Sequence, residues 1–320
     1  MIQVKHLTKY YGSFLAVDDI TFDVPDGEIV GILGPNGAGK TTVLRMLTCF
    51  MPATGGRAIV EGFDIFTQSL QVRQTVGYMP ENVPLYEDMR VEEYLDFRGQ
   101  LKDLDRTTRR RRVTEALSRC QLADRRSQII GTLSKGYRQR VGLAESLIGD
   151  PKVLILDEPT IGLDPGQIRE ARKLIQDLGR KHTILLSSHI LHEVEQVCSH
   201  IIMIARGRVV ANGRLEDLKR SLPGAGRTIL EARGEDADGL RRAIAGLHGV
   251  KDVAMDRAGE GYMRFGVDAA DDTDVREEVG RMATRRNWTV RELRSTQPTL
   301  EEFFVQTVAE QNLGSAAAGE

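Results

Sequence analysis

The sequence predicts an α/β protein with a mixed, largely parallel sheet at its core and a smaller α+β domain after it. Nearly continuous apolar runs, typical of strands covered on both faces, occur at 28–33, 153–156, 183–186 and 201–205. Segments with helical spacing of apolar residues separate these runs, as in parallel sheets with crossover helices. A chain of 320 residues is also long enough for one large and one small domain.

Composition and charge exclude several classes of protein. With 41% hydrophobic and 28% charged residues, the chain is neither disordered, nor collagen-like, nor membrane-embedded. The formal net charge of −2 provides no bulk attraction for nucleic acid, so we expect no nucleic-acid partner. Three widely spaced cysteines cannot pair completely, and no apolar signal region precedes the first strand. We therefore expect a reduced, intracellular protein.

The first domain is predicted at residues 1–220. Apolar and polar residues alternate at 2–7 and 20–24, which predicts an antiparallel β subdomain at its start. Between about 88 and 150, Leu, Val and Ala recur at helical spacing without a strand pattern, which predicts a helical insertion. Helices are also expected in three further segments, at 41–47, 167–178 and 190–197.

A second, accessory domain is predicted at residues 226–310, after the Pro-Gly-Ala-Gly segment at 223–226. Its patterns read strand, helix, strand, strand, helix and strand at 227–232, 237–247, 250–255, 261–267, 274–285 and 288–293. This is the order of the ferredoxin-like βαββαβ fold. We expect a further helix at 299–308 and a disordered tail at 311–320, where residues are small and polar.

The most informative motif is Gly34-Pro35-Asn36-Gly37-Ala38-Gly39-Lys40-Thr41, which matches G-x-x-x-x-G-K-[ST] between a predicted strand and a predicted helix. A glycine-rich backbone can curl with its N–H groups toward a polyphosphate, and the positive end of the helix points at the same place. Lys40 would supply charge to the β- and γ-phosphates, and the Thr41 hydroxyl can ligate Mg²⁺. On this motif alone, an ordinary glycine-rich turn is the alternative.

A second motif, Leu154-Ile155-Leu156-Asp157-Glu158, is an apolar strand that ends in two carboxylates. Asp157 is placed to hold Mg²⁺ through water, and Glu158 to polarise an attacking water. A pair of acidic residues that merely caps the next turn is the alternative explanation.

Three more segments complete an ordered set. Leu133-Ser134-Lys135-Gly136-Tyr137-Arg138-Gln139-Arg140 lies between the two motifs, and Gly162-Leu163-Asp164 and Ser187-Ser188-His189 follow them. Over about residues 1–215, this set resembles the ATP-binding cassette (ABC) ATPases. The resemblance implies the P-loop NTPase cassette fold, hydrolysis of ATP with Mg²⁺, and a peripheral position on the cytoplasmic face of a bacterial membrane. It also implies separate integral-membrane permease subunits.

The resemblance assigns nucleotide contacts residue by residue. Tyr11 matches the aromatic residue that stacks on adenine, with Tyr10 as a rival for that role. The segment from Asn36 through Thr42 matches the phosphate loop. Glu158 matches the general base and His189 the histidine that contacts the γ-phosphate, so that these two residues and Lys40 form the expected catalytic set.

Other matched residues concern a second cassette. Asp164 matches the loop aspartate that meets the partner cassette. Ser134 and Gly136 match the signature that caps nucleotide bound to the other subunit. One chain therefore holds two half-sites, and the resemblance implies a homodimer or another pairing of cassettes that closes around ATP.

Two positions depart from the family pattern. The usual L-S-G-G-Q reads Leu133-Ser134-Lys135-Gly136-Tyr137 here, and Lys135 either adds charge toward phosphate or points to solvent, of which we favour solvent. Glu81 stands where many cassettes carry a glutamine that contacts metal and water; it can ligate Mg²⁺ but adds negative charge near the phosphates. Together with Pro298-Thr299-Leu300-Glu301-Glu302-Phe303-Phe304, these departures resemble bacterial ABC-2 type exporters, including gliding-motility-like and drug-resistance cassettes.

Three alternatives remain. The first is a soluble ABC ATPase that acts on ribosomes or DNA. Two cassettes in one chain, or a long coiled coil inside the cassette, would favour it, and neither pattern occurs here. Importer cassettes share the catalytic residues, so the subfamily features alone favour export. His189, His192, Cys198 and His200 could form a zinc site, but His189 already matches the γ-phosphate contact and an ordinary buried stripe runs beside it.

Overall fold

The computed structural model describes residues 1–220, 227–270 and 273–296 and the positions 300, 302 and 304. It divides into two compact units, one containing Met1–Leu215 and the other Glu216–Gln306. Among the residues so described, no helix has both the length and the apolar character needed to cross a membrane.

The first unit combines an antiparallel sheet, a parallel sheet and a group of helices. In chain order its elements are β1 (Ile2–Tyr11), β2 (Phe14–Val24), β3 (Ile29–Leu33), α1 (Lys40–Leu47), β4 (Gly55–Val60), β5 (Phe63–Asp64), α2 (Ser69–Thr75), β6 (Val76–Met79), α3 (Val91–Gln100), α4 (Arg106–Arg119), α5 (Lys135–Leu147), β7 (Val153–Asp157), α6 (Pro165–Gly179), β8 (Thr183–Ser188), α7 (Leu191–Glu195), β9 (His200–Ala205) and β10 (Arg208–Arg214). The next helix, α8 (Leu215–Arg220), belongs to the second unit except for its first residue.

The antiparallel sheet has the order β2-β1-β4-β5. Alternate side chains of β1 and β2, among them Ile2, Val4, Ile20 and Phe22, are buried in the core, while their neighbours face outward. The antiparallel subdomain that this alternation predicts is confirmed.

The larger sheet has the order β10-β9-β3-β8-β7-β6. β9, β3, β8, β7 and β6 run parallel to one another, while β10 at the edge runs antiparallel to β9. Every residue of β7 and of β8 is buried, as expected for strands covered on both faces. The mixed, largely parallel sheet is thus confirmed. Sequence patterns did not indicate β6, which has four residues, or β10, whose seven residues include two arginines, an asparagine and a glycine.

The helices α3, α4 and α5 form the insertion between β6 and β7. Tyr94 of α3 is buried and its hydroxyl donates to Glu145 of α5, while Arg109 of α4 lies 2.6 Å from Asp96 of α3. The helix predicted at 190–197 is shorter than expected, because α7 ends at Glu195 and β9 begins five residues later.

The second unit contains β11 (Thr228–Arg233), α9 (Ala237–Ala245), β12 (Val250–Gly259), β13 (Tyr262–Ala269), α10 (Arg276–Arg285) and β14 (Thr289–Ser295). The strands form an antiparallel sheet of order β12-β13-β11-β14. Leu240 and Ile244 of α9 and Val279 of α10 pack in one core with Phe265 of β13. The helix predicted at 299–308 lies mostly, and the tail at 311–320 entirely, outside the described residues.

Candidate functional site

A cleft of about 500 Å³ lies where several parallel strands of the first unit end. This volume is in the usual range for small-molecule sites, and the carboxyl ends of parallel strands are where α/β proteins bind ligands. Its walls are formed by Tyr11, Phe14, Ala16, Asn36, Gly37, Ala38, Gly39, Lys40, Thr41, Thr42, Glu81, Glu158, Ile161 and His189.

The glycine-rich loop between β3 and α1 forms the floor of the cleft. Gly37 and Gly39 have φ angles of 79° and 105°, which side chains rarely permit. A Cβ atom on Gly39 would also lie only 2.7 Å from the carbonyl oxygen of Ala16. The loop therefore curls tightly into α1, whose N-terminal end, beginning at Lys40, contributes positive potential to the cleft.

Lys40 is buried and folded back into this loop. Its Nζ donates hydrogen bonds to the carbonyl oxygens of Gly34 (2.8 Å) and Pro35 (3.2 Å). It also lies 3.4 Å from Oε1 of Glu158. These contacts hold the ammonium at the cleft wall, where a polyphosphate can replace them.

Asp157 ends β7 below the cleft and is buried. Its Oδ1 accepts hydrogen bonds from the hydroxyls of Ser187 (2.6 Å) and Thr41 (3.1 Å), whereas its Oδ2 is buried with no hydrogen-bond partner among the described residues. Burial raises the pKa of Asp157, although the two hydroxyls act in the opposite direction. The unpaired carboxylate oxygen beside the Thr41 hydroxyl is the kind of donor set that a hard divalent cation prefers.

Glu158 is buried and contacts both Lys40 and His189. Its φ of 47° is unusual for a residue other than glycine and is stabilised by a 2.9 Å hydrogen bond from its N–H to Oγ of Ser187. While Oε1 faces Lys40, Oε2 lies 2.8 Å from Nδ1 of His189, which follows β8. A buried carboxylate thus lies between an ammonium and a partly exposed imidazole.

Two aromatic side chains also line the cleft. Tyr11 and Phe14 are direct partners across the β1–β2 hairpin and are 44% and 65% exposed. Such exposure of paired rings in a cleft suits stacking on a flat ligand. Tyr10, the rival of Tyr11, is not part of the cleft wall, since adjacent strand residues face opposite sides. Sequence reasoning missed Phe14, although an aromatic residue just after the Gly12-Ser13 turn was a usable signal.

Glu81 follows β6 and reaches the rim of the same cleft, where it is half-buried. The structure thus places Glu81 in one cleft with the phosphate loop. Ile161, which the sequence analysis did not single out, lines the same cleft. Ile161 carries no chemical signal in the sequence, because an isolated apolar residue after an acidic motif is ordinary.

Ser134, Gly136 and Asp164 do not line the cleft. Ser134 caps α5 and Asp164 caps α6, where its carboxylate accepts a 2.9 Å hydrogen bond from the N–H of Gln167. A Cβ atom on Gly136 would lie 2.2 Å from Oε1 of Gln167, so the two helix starts are in direct contact. These three residues lie at the starts of α5 and α6, outside the cleft; Ser134 and Asp164 are exposed and Gly136 is buried.

The possible zinc ligands are engaged separately. His192 lies 2.8 Å from Gln196, His200 lies 2.7 Å from Asn212, and Cys198 is buried. In the part of the chain that the structure describes, no three His, Cys, Asp or Glu side chains come together in a metal-binding arrangement.

Comparison with known proteins agrees with this geometry. Residues 17–161 match the family described as ABC transporter. The linearmycin resistance ATP-binding protein LnrL of Bacillus subtilis is 31% identical over 95% of this chain and 97% of its own length. The Nod factor export ATP-binding protein I of Cupriavidus metallidurans is 36% identical over 77% of this chain and 81% of its own length.

The fold gives the same result. A solved structure described as the ATP binding subunit of an ABC transporter is 32% identical, with a TM-score of 0.63, and covers 69% of this chain and 92% of the other. The predicted cassette fold is therefore confirmed for the first unit. The chain belongs to the ABC transporter ATP-binding proteins, and it is an ATPase of the family that couples ATP hydrolysis to transport.

Proposed function

We propose that the cleft binds and hydrolyses ATP to power a separate integral-membrane permease of the ABC-2 exporter type. The observation that carries this proposal is the contact series from Lys40 through Glu158 to His189 beside the phosphate loop. The names of two relatives, one for linearmycin resistance and one for Nod factor export, support export over import.

The proposed chemistry follows from these side chains. Lys40 exchanges the carbonyls of Gly34 and Pro35 for the β- and γ-phosphates. Glu158 accepts a proton from water as that oxygen attacks the γ-phosphorus and the bond to the bridging oxygen of ADP breaks. His189 holds the Glu158 carboxylate in place and contacts the γ-phosphate, while Tyr11 and Phe14 stack on the base.

Mg²⁺ fits the residues below the cleft. Thr41 and Asp157 would hold it, since Oδ2 of Asp157 is buried without a partner, and Glu81 at the rim would contribute a further carboxylate. When bound, the ion would neutralise phosphate charge. The chain's own residues position the phosphates and the water.

We infer that two cassettes act together. Ser134, Gly136 and Asp164 lie outside the cleft, and Ser134 and Asp164 are exposed, which supports a second cassette that receives them against its own nucleotide. The permease would dock near residues 81–94 and the following helices, on the cytoplasmic face of a bacterial membrane. For the second unit we propose a ferredoxin-like accessory domain, supported by its element order and by the strand order β14-β11-β13-β12.

Co-purification of the tagged chain from its native membranes tests this function. Mass spectrometry should identify a polytopic membrane protein in stoichiometric amount, and its sequence should resemble an ABC-2 permease. Ribosomal or DNA-associated proteins in its place would instead support the soluble ABC alternative and overturn the transport role.

A further inference from the structure

The two departures from the family pattern, Glu81 and Lys135, lie on the walls of one cavity. This cavity of about 410 Å³ is separate from the nucleotide cleft but shares Glu81 and Ile161 with it. Glu81 therefore lines both the cleft and the cavity that Lys135 lines. A carboxylate that replaces a neutral amide and a lysine that replaces a glycine therefore line the same cavity.

Lys135 is free to serve this cavity. It is the first residue of α5, it is exposed, and it makes no ion pair with any residue that the structure describes. Its Nζ lies close to Gly162, since a Cβ atom there would be 2.0 Å away. By contrast, Arg138 on the same cavity already lies 3.9 Å from Glu87.

Gln139 provides an acceptor on the same helix face. It stands four residues after Lys135, so both side chains project from one side of α5 toward the cavity. Its Oε1 is buried with no hydrogen-bond partner in the described ranges. If the Lys135 side chain turned into the cavity toward Glu81, its ammonium would donate a hydrogen bond to Oε1 of Gln139.

We propose that Lys135 is the counter-charge of Glu81 and a positioning residue for nucleotide binding. This inference rests on the proposed function of the cleft. Without Lys135, the Glu81 carboxylate repels the triphosphate at the cleft rim; with Lys135 beside it, the pair is neutral and the carboxylate is held at the rim. The lysine thus acts within its own cassette, through Glu81.

A double-mutant cycle on the full-length chain tests the pairing. Binding of a fluorescent ATP analogue is measured without metal, in excess EDTA, for wild type, K135M, E81Q and the double variant. K135M keeps the alkyl stem over Gly162 but removes the charge. We expect it to weaken binding about tenfold in the presence of Glu81 and less than twofold in the E81Q background. The tenfold effect should shrink in high salt.

The controls separate charge from packing. K135R keeps the charge and should bind within about twofold of wild type, whereas R138M removes a charge from the same cavity and should act equally with and without Glu81. If K135M weakens binding equally in both backgrounds, Lys135 does not act through Glu81 and the pairing is wrong. If the wild-type protein binds no ATP, or if the K40A variant binds ATP with the same affinity as wild type, the proposed function fails instead.

Discussion

The substitution E158Q should strengthen ATP binding and slow ATP hydrolysis, because the Glu158 carboxylate contacts both Lys40 and His189. Oε1 of Glu158 lies 3.4 Å from Nζ of Lys40, and both side chains are buried. Two unit charges at that separation attract by about 5 kcal/mol at an effective dielectric constant of about 20. ATP must compete with this attraction for the ammonium. E158Q removes this competition. If ATP binding gains only about 1.4 kcal/mol as a result, the Kd for ATP falls about tenfold.

Hydrolysis should change in the opposite direction. Since E158Q removes the proposed general base, we expect kcat to fall about 10³-fold. Titration with a fluorescent ATP analogue and phosphate release, measured on one preparation, give both quantities. E170Q, which removes an exposed carboxylate paired with Arg140, is the matched control and should change neither. Weaker ATP binding by E158Q would refute the competition for Lys40, and an unchanged kcat would refute the role of Glu158 as base.

Three further variants test the residues proposed to contact the phosphates, the adenine ring and Mg²⁺. K40A should raise the Kd for ATP at least about 100-fold, because charge-assisted hydrogen bonds contribute about 1.5–3 kcal/mol each; unaltered affinity in the titration would contradict the loop assignment. F14A should raise KM about tenfold at constant kcat, whereas F66A, an exposed phenylalanine outside the cleft, should change neither in a steady-state ATPase assay. Because burial raises the pKa of Asp157, the folded protein favours the protonated carboxyl. The contribution of this carboxyl to the free energy of unfolding is lost as the pH rises through the folded-state pKa. D157N should therefore melt at a higher temperature than wild type in EDTA at pH 7 while losing hydrolysis, with a smaller difference in acid; a lower melting temperature at pH 7 would contradict this.

Much of the cleft could be predicted because its motifs are local. The phosphate loop and Asp157 each adjoin a buried strand, and the apolar run that identifies the strand also fixes where the polar residues emerge. Lys40 and Glu158 could accordingly be assigned before any contact was known. β6 was missed because Val76–Met79 is short and contains a glycine, so no periodicity can develop.

Contacts between distant segments could not be predicted in the same way. Phe14 belongs to the cleft only because the β1–β2 hairpin turns it toward the loop after β3. Similarly, the expectation that Lys135 points to solvent agrees with its exposure, but it omits the contact with Gly162 and the cavity shared with Glu81. Neither feature follows from residue spacing, because each depends on how separate elements pack.

The charges at the cleft explain why these distant contacts matter. Two carboxylates, Glu81 and Glu158, line the cleft together with one ammonium, that of Lys40, which already faces Glu158. A glutamine at position 81 would leave one carboxylate for one ammonium, so the glutamate adds an unmatched negative charge where a triphosphate must bind. Lys135, which lines the neighbouring cavity together with Glu81, restores equal numbers of positive and negative charges without lining the cleft. A cation at the position of Lys135 neutralises the rim without taking any of the space that the phosphates and Mg²⁺ would share.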